Sequence, residues 1–188
     1  MIEQYQILAY ADMYGKERLD DILSVFSSPK NEKASQFLKN NAYDFARKKI
    51  SVTHLIIRDS ETVLGYYTLA LKEVTIREEG LSHTVCKKLS RYGKYDPSGK
   101  IYRIPAYLIA WIAKNSSAAD HSVDGSSIIC AALDTIVEGQ FRFGGGLVYL
   151  ECEKEEKLVS FYKKNGFSIC GARKADDGDA LYVMLKFV

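Results

Sequence analysis

A chain of 188 residues and 21.2 kDa, 47% hydrophobic and 27% charged, has the make-up of one globular domain spanning 1–188, able to bury around two-thirds of its unfolded surface without disulfides. Twenty-six Lys and Arg against twenty-four Asp and Glu leave a net charge of +2, which gives no ground for a polyanion partner from global charge. The start, "MIEQYQILAYADMYG", lacks a basic leader, and the longest wholly apolar run, "IPAYLIAWIA" at 104–113, falls short of the roughly 18 residues of a membrane span, so a cytoplasmic protein with no membrane partner is expected.

The first third reads as helical. "ERLDDILSVF" sets Leu19, Ile22, Leu23 and Phe26 on one helical face before Pro29, and "EKASQFLKNNAYDFARKK" sets Ala34, Phe37, Leu38, Ala42, Phe45 and Ala46 on the face of a second helix. "SVTHLIIR" and "TVLGYYTLALKEVTI", joined by a turn at Asp59 to Glu61, predict a hairpin. From Lys87 to Arg103, six basic residues (Lys87, Lys88, Arg91, Lys94, Lys100, Arg103) face Asp96 alone, a pattern of a solvated loop before that of a nucleic-acid footprint. "IPAYLIAWIAK" then predicts a strand covered on both faces, and "NSSAADHSVDG" a polar loop. "SSIICAALDTIVEG" predicts a helix ending at Gly139 and "GGLVYLEC" a strand. "EEKLVSFYKKN" predicts another helix, and "GFSICGAR" with "ALYVMLKFV" two closing strands about the turn "DDGD". Strands alternating with crossover helices around a mixed sheet make an α/β fold, with right-handed crossovers.

Cys86, Cys130, Cys152 and Cys170 form no close pair, and His54, His83 and His121 are scattered, so no metal site or disulfide framework is expected. The glycine-rich nucleotide fingerprints and the serine nucleophile elbow are absent. Cys152 follows an apolar strand with no neighbouring His, which favours a structural thiol over a nucleophile. "HSVDGSSI" is a strand-to-helix junction, where unpaired N–H groups and the macrodipole can take an anion, although Ser, Asp and Gly also serve there simply as caps. In "LVSFYKKNGF", helical spacing sets Leu158 and Phe161 against the sheet and Tyr162 on the flank of the last turn, with Gly166 as the left-handed stop.

On these elements the chain resembles the GNAT superfamily of acyl-CoA-dependent N-acetyltransferases, over roughly 50–188 in element order. The most specific piece is "VYLECEKEEKLVSFYKKNGF", which looks like the family's strand and helix ending in Phe-Tyr-x-x-x-Gly-Phe. The resemblance implies a mixed, mostly antiparallel twisted sheet with splayed central strands and helices on both faces. It implies acetyl-CoA as co-substrate, with pantetheine on the strand backbone at Ile112, Ala113 and Lys114, and pyrophosphate at Ser122, Val123, Asp124, Gly125, Ser126 and Ser127. Tyr162 would be the general acid to the departing thiolate. The family's loop, Gln/Arg-x-x-Gly-x-Gly/Ala, keeps its central glycine here, but serines replace its lead and its last small residue, and Asp124 sets a carboxylate beside a phosphate.

"FSSPKNEKASQFLKNNAYDFARKKISVTHLII" and "KKLSRYGKYDPSGKIYRIPAYLIAWIAKN" are also similar to the branch with toxin-like acetyltransferases, whose members acetylate aminoacyl-tRNA. The expected activity is therefore acetyl transfer to a primary amine by direct attack in a ternary complex; no general base is singled out by spacing, though Glu151 or an ordered water could serve. An α-amine, with pKa near ~8, is an easier nucleophile than a lysine near ~10.4. A tRNA or another polyanion on 87–103 is a further expectation, and a homodimer is left open. Two rivals stand beside it: a catalytically silent module on the same fold that binds acyl-CoA or a partner protein, and a nucleic-acid binder.

Overall fold

The computed structural model describes residues 1–119, 122–175, 178 and 180–188. Asp120 and His121 of the polar loop, and Asp176, Asp177 and Asp179 of the "DDGD" turn, lie outside the described residues. Strand β1 (Ile2–Gln6) leads into helices α1 (Ile7–Tyr14), α2 (Lys16–Ser24), α3 (Glu32–Asn40) and α4 (Ala42–Arg47). The hairpin β2 (Val52–Arg58) and β3 (Thr62–Arg77) follows, then α5 (His83–Tyr92), β4 (Lys94–Asp96) and β5 (Ile101–Lys114). Helix α6 (Gly125–Phe143), β6 (Leu147–Glu153), α7 (Glu156–Lys164), β7 (Ser168–Lys174) and β8 (Ala180–Phe187) complete the order.

Strand neighbours run β1-β2-β3-β5-β6-β8-β7, with β4 paired to β5 off that path. The β5–β6 ladder is parallel, with Tyr107 opposite Val148 and Leu108 opposite Tyr149, and β1–β2, β2–β3, β4–β5, β6–β8 and β7–β8 are antiparallel. This is a mixed, mostly antiparallel α/β sheet. The chain divides into two units, Met1–Ala70 with Ile109–Thr135 and Leu71–Leu108 with Ile136–Val188.

In the first unit the apolar faces read from the sequence close on the hairpin, although α2 ends at Ser24 and Phe26, expected on its face, packs from the turn beyond it. Leu19, Leu23, Phe26, Phe37 and Leu38 pack with Leu55, Ile57, Val63, Tyr66 and Ala113, and each fully buried aliphatic side chain there contributes about 1.5–3 kcal/mol. Tyr66 remains buried because its hydroxyl donates to Ala34 O at 2.6 Å. The helix expected as one piece over 32–49 is two, broken at Asn41 (φ −124°, ψ −31°). Asn competes well with helix through local bonds of its own, and an apolar pattern that persists across it conceals the break.

A polar chain crosses this unit on the other side of β3. Gln4 Nε2 donates to the Tyr67 hydroxyl at 2.7 Å, the Tyr67 and Thr135 hydroxyls lie 2.6 Å apart, and Thr135 Oγ1 donates to Ala131 O at 3.1 Å. His54 stacks on Tyr67 with ring centroids 4.8 Å apart and an interplanar angle of 6°. Its burial disfavours the charged imidazolium and pushes its pKa down to about 4.

In the second unit Val74, Ile76, Leu89, Tyr102, Ile104, Leu147, Tyr149, Val183 and Leu185 form the core. The basic stretch read as a loop is helix α5 followed by the β4–β5 hairpin. Ser82 Oγ accepts from Val85 N at 3.3 Å as the N-cap, but of the helix only Leu89 is fully buried, too sparse an apolar stripe to register as a period. Gly93 ends it at a close approach, since a Cβ there would stand 2.4 Å from Arg103 O and from Ile104 Cγ1. Helix α6 continues past Gly139 to Phe143, because a glycine inside a helix costs only about 1 kcal/mol relative to alanine.

His54 gives this fold a pH dependence. Above pH 6.5 the imidazole is neutral in both folded and unfolded chains; as pH falls from 6.5 towards 4 the unfolded chain takes up a proton that the folded one refuses, and stability declines. His54→Phe, which retains the stacked ring, is expected to flatten the slope of melting temperature against pH across that window relative to wild type. Parallel slopes for the two proteins would show that His54 does not set it.

Candidate active site

The first unit contains the junction expected to hold an anion. Strand β5 ends in Ile112, Ala113 and Lys114, and its exit is fixed by Asn115, a polar residue only 3% exposed. Strand β3 carries a bulge opposite Ile56–Ile57, where Ile56 pairs with Gly65 and Ile57 with Val63, leaving Leu64 as the extra residue. The carbonyls of Val63 and Leu64 both go to Asn115, the first accepting from Nδ2 and the second from its backbone N–H, each at 2.8 Å. Asn115 Oδ1 accepts from Ser27 N at 3.1 Å and Ser117 N at 3.0 Å, and Ser116 N donates to Ser27 O at 2.7 Å. One buried amide thus ties β3, the turn after α2, and the start of the loop into α6. Nothing in the sequence marks this residue, since an Asn before two serines reads as an ordinary loop.

At the far end of that loop Val123 is buried and Asp124 is the N-cap of α6. Asp124 Oδ1 accepts from Ser127 N at 2.7 Å and from Ser127 Oγ at 2.8 Å. These bonds, with the Lys114 charge as a smaller contribution, hold its carboxyl below the usual range. The carboxylate that the sequence sets beside a phosphate is therefore turned onto the helix start, where it takes up the Ser127 N–H and, as a smaller contribution, the Ser126 N–H that an anion would otherwise use. Arg58, the last residue of β2, donates from Nη2 to Ser122 Oγ at 3.2 Å and brings a cation to a loop whose own residues supply none between 122 and 127.

The second unit contains Tyr162. Helix α7 closes on Asn165 and Gly166: Gly166 (φ +85°) donates to Lys163 O at 3.0 Å, and Phe167 N returns to Tyr162 O at 3.1 Å. Lys186 Nζ, from β8, donates to Asn165 O at 3.0 Å and places a cation at the negative helix end. Phe161 and Phe167 flank the Tyr162 ring, with centroids 5.2 and 6.1 Å away. Burial, with a smaller contribution from Cys152, pushes the phenol up to about 12, so Tyr162 keeps its proton at neutral pH. It is a donor and not a base.

Cys152 is 4% exposed, its Sγ lies 3.5 Å from Met184 Sδ, and burial raises its pKa to about 11, which fits a structural thiol. Glu151 lies under Arg173, with Nε to Oε1 and Nη2 to Oε2 both at 2.5 Å. A carboxylate held by both oxygens in a guanidinium fork is a poor proton acceptor, which weighs against Glu151 as the base. Among the described residues no group of His, Cys, Asp or Glu could hold a metal ion, and no helix is long and apolar enough to cross a membrane. All six basic residues of 87–103 are exposed. Arg103 pairs with Glu73 at 3.6 Å, and Lys88 Nζ sits 5.0 Å from the Phe187 ring centroid.

No family model matches the chain, and no curated protein matches its sequence. Solved structures match its fold. AtaT complexed with acetyl-methionyl-tRNAfMet gives a TM-score of 0.67 at 19% identity over 97% of this chain and 94% of that one. A Tyr-to-Phe mutant of KacT gives 0.67 at 18% identity over 96% and 93%. AtaTR bound with AcCoA gives 0.59 at 20% identity over 96% and 91%. The fold is that of the GNAT acetyltransferases, the toxins AtaT and KacT among them.

Truncating Asn115 to Ala strands the buried Val63 carbonyl and the Ser27 N–H, and is expected to lower the unfolding free energy by about 2–4 kcal/mol, on a scale of roughly 1–3 kcal/mol per orphaned group. Urea denaturation measures it, and a loss under about 0.5 kcal/mol would show that the loop is anchored elsewhere.

Proposed function

We propose that the protein is an N-acetyltransferase that uses acetyl-CoA and acetylates the α-amino group of an aminoacyl-tRNA. The observation that carries this reading is Tyr162: a phenol that retains its proton, at the end of the helix bearing Phe-Tyr-x-x-x-Gly-Phe, in a chain with the fold of acetyl-CoA-bound acetyltransferases. The acceptor is taken from AtaT, whose complex contains acetyl-methionyl-tRNAfMet, together with the exposed basic residues of 87–103.

In this reading the pyrophosphate of acetyl-CoA lies at Ser122, Val123, Asp124, Gly125, Ser126 and Ser127, and pantetheine pairs with the backbone of Ile112, Ala113 and Lys114. The residues fit such a ligand through backbone N–H groups at the start of α6, less those of Ser127 and Ser126 that Asp124 engages. The amine nitrogen attacks the thioester carbonyl, the C–S bond breaks, and the CoA thiolate leaves as the nitrogen gives its proton to water. Tyr162 donates its O–H to the departing sulfur. With the phenol at about 12 and a thiol near ~8.5, full transfer would run uphill by about 5 kcal/mol, so the hydrogen bond to the developing thiolate is the larger part of its contribution. An α-amine near ~8 is partly neutral already, so the reaction needs little from a base, in keeping with a Glu151 that is committed to Arg173.

The capping role of Asp124 favours a second reading, a silent module on the same fold with weakened coenzyme binding. Incubation with acetyl-CoA and a mixture of charged tRNAs, peptides and polyamines, read by mass spectrometry, separates the two. Acetyl-aminoacyl-tRNA is the expected product; acetylation confined to peptides or polyamines would replace the acceptor, and no acetylated product at all would leave the silent module.

Tyr162→Phe retains the ring and its packing and removes the donor. We expect kcat to fall on the order of 10²-fold or more, with acetyl-CoA affinity and melting temperature nearly unchanged. A fully active variant would end the assignment. Charge reversal at Lys87, Lys88 and Arg91 is expected to raise the KM for charged tRNA and leave acetyl-CoA binding alone, since the contribution is a salt-screened attraction. Kinetics indifferent both to the reversals and to salt would return the stretch to a solvated surface.

A further inference from the structure

We propose that Arg58 is a ligand of the coenzyme's diphosphate, supplying the positive charge that the loop at 122–127 lacks. The inference rests on the reading that this loop receives the diphosphate of acetyl-CoA, and it adds a residue from a strand 64 positions earlier in the chain.

The loop is short of charge for its task. Ser122, Val123, Gly125, Ser126 and Ser127 are neutral, and Asp124 is an ionised carboxylate, so a diphosphate arriving there meets a like charge at the helix start. Asp124 also holds the Ser127 N–H at 2.7 Å. Helix-end attraction at an exposed terminus is weak and screened by salt, and here it is opposed by a fixed anion. A cation has to come from outside the loop.

Arg58 is placed to be that cation. Its backbone is set by the ladders on both sides, opposite Ile2 of β1 and Thr62 of β3, so the guanidinium is delivered from a rigid strand end. The side chain is half-buried, and Nη2 already reaches Ser122 Oγ at 3.2 Å, at the first position of the loop. A guanidinium presents its donors as a planar fork matching adjacent phosphate oxygens, and it can hold a hydroxyl and a phosphate oxygen in the same plane. Lys114, whose charge acts on Asp124, is a second cation in the same unit, but as a point charge on a flexible stem it gives no such register.

Titration calorimetry with CoA, dephospho-CoA and pantetheine tests the proposal on the full chain, with Arg58→Ala, Arg58→Gln and Arg58→Lys and the melting temperature of each. Arg58→Ala and Arg58→Gln are expected to weaken CoA and dephospho-CoA alike by roughly 10-fold or more, the scale of a charge-assisted hydrogen bond, with Arg58→Lys recovering part. Pantetheine, which has no phosphate, should bind all four proteins equally. CoA affinity unchanged in Arg58→Ala overturns the assignment, as does wild-type affinity in Arg58→Gln, which would reduce the contact to the bond with Ser122. An effect lost with dephospho-CoA overturns it in favour of the 3′-phosphate, and an equal loss for pantetheine in favour of general damage. A wild-type protein that binds no CoA overturns the acetyltransferase reading and Arg58 together.

Discussion

Much of the first unit depends on what happens to two carbonyl groups. The bulge at Leu64 turns the carbonyls of Val63 and Leu64 to the same side of β3, where an unbroken ladder would alternate them, and buried carbonyls without partners would each cost on the order of 1–3 kcal/mol. Asn115 takes both, one with its side chain and one with its backbone. The same side chain then accepts from the turn after α2 and from the loop beyond β5. The end of β5 and the path towards α6 are consequently set by hydrogen bonds of one buried residue, and the candidate phosphate loop begins from a fixed point.

A second constraint governs the candidate acid. Tyr162 sits one residue after Phe161 in the last turn of a helix that must stop, reverse and enter β7, and the stop is built from a left-handed glycine, two backbone bonds and the Lys186 ammonium. The stop is bonded through the backbone, which leaves the hydroxyl uncommitted to holding the turn. Burial, which favours the neutral phenol, and the flanking aromatic rings then make it a proton holder. Packing and chemistry here use different atoms of one side chain.

Where apolar residues recur at a clean period, the elements were legible in the sequence: the α2 face at Leu19, Ile22 and Leu23, the hairpin of β2 and β3, and the α7 turn ending at Gly166. The structure departs where the periodic signal is thin or outvoted. Strand β1 is a five-residue edge with no buried residue, helix α5 has a single fully buried position, and Asn41 breaks a helix across which the apolar spacing continues. The candidate site divides the same way. Gly125 and Tyr162 lie in patterns of consecutive residues and can be read from them, while Asn115 and Arg58 act through partners 52 and 64 positions away, a relation that no local window contains.

The bulge at Leu64 also imposes a rule of parity on the hairpin. Val63 and Leu64 are each only 1% exposed, Val63 within the core that packs on the helices and Leu64 outside that cluster, in a stretch of β3 that is buried at every position from 63 to 68. Removing one residue between Thr62 and Gly65 would restore strict alternation, exchange the faces of the side chains on one side of the deletion, and leave the two carbonyls unable both to face Asn115. The turn at Asp59 and Ser60, both with positive φ, is held as well: Ser60 O accepts from the buried Tyr10 hydroxyl at 2.8 Å, and Asp59 N donates to Met1 O at 3.0 Å. In evolutionary terms, this hairpin is locked in residue count at its tip and again at the bulge, so insertions and deletions should be eliminated on both sides of Thr62.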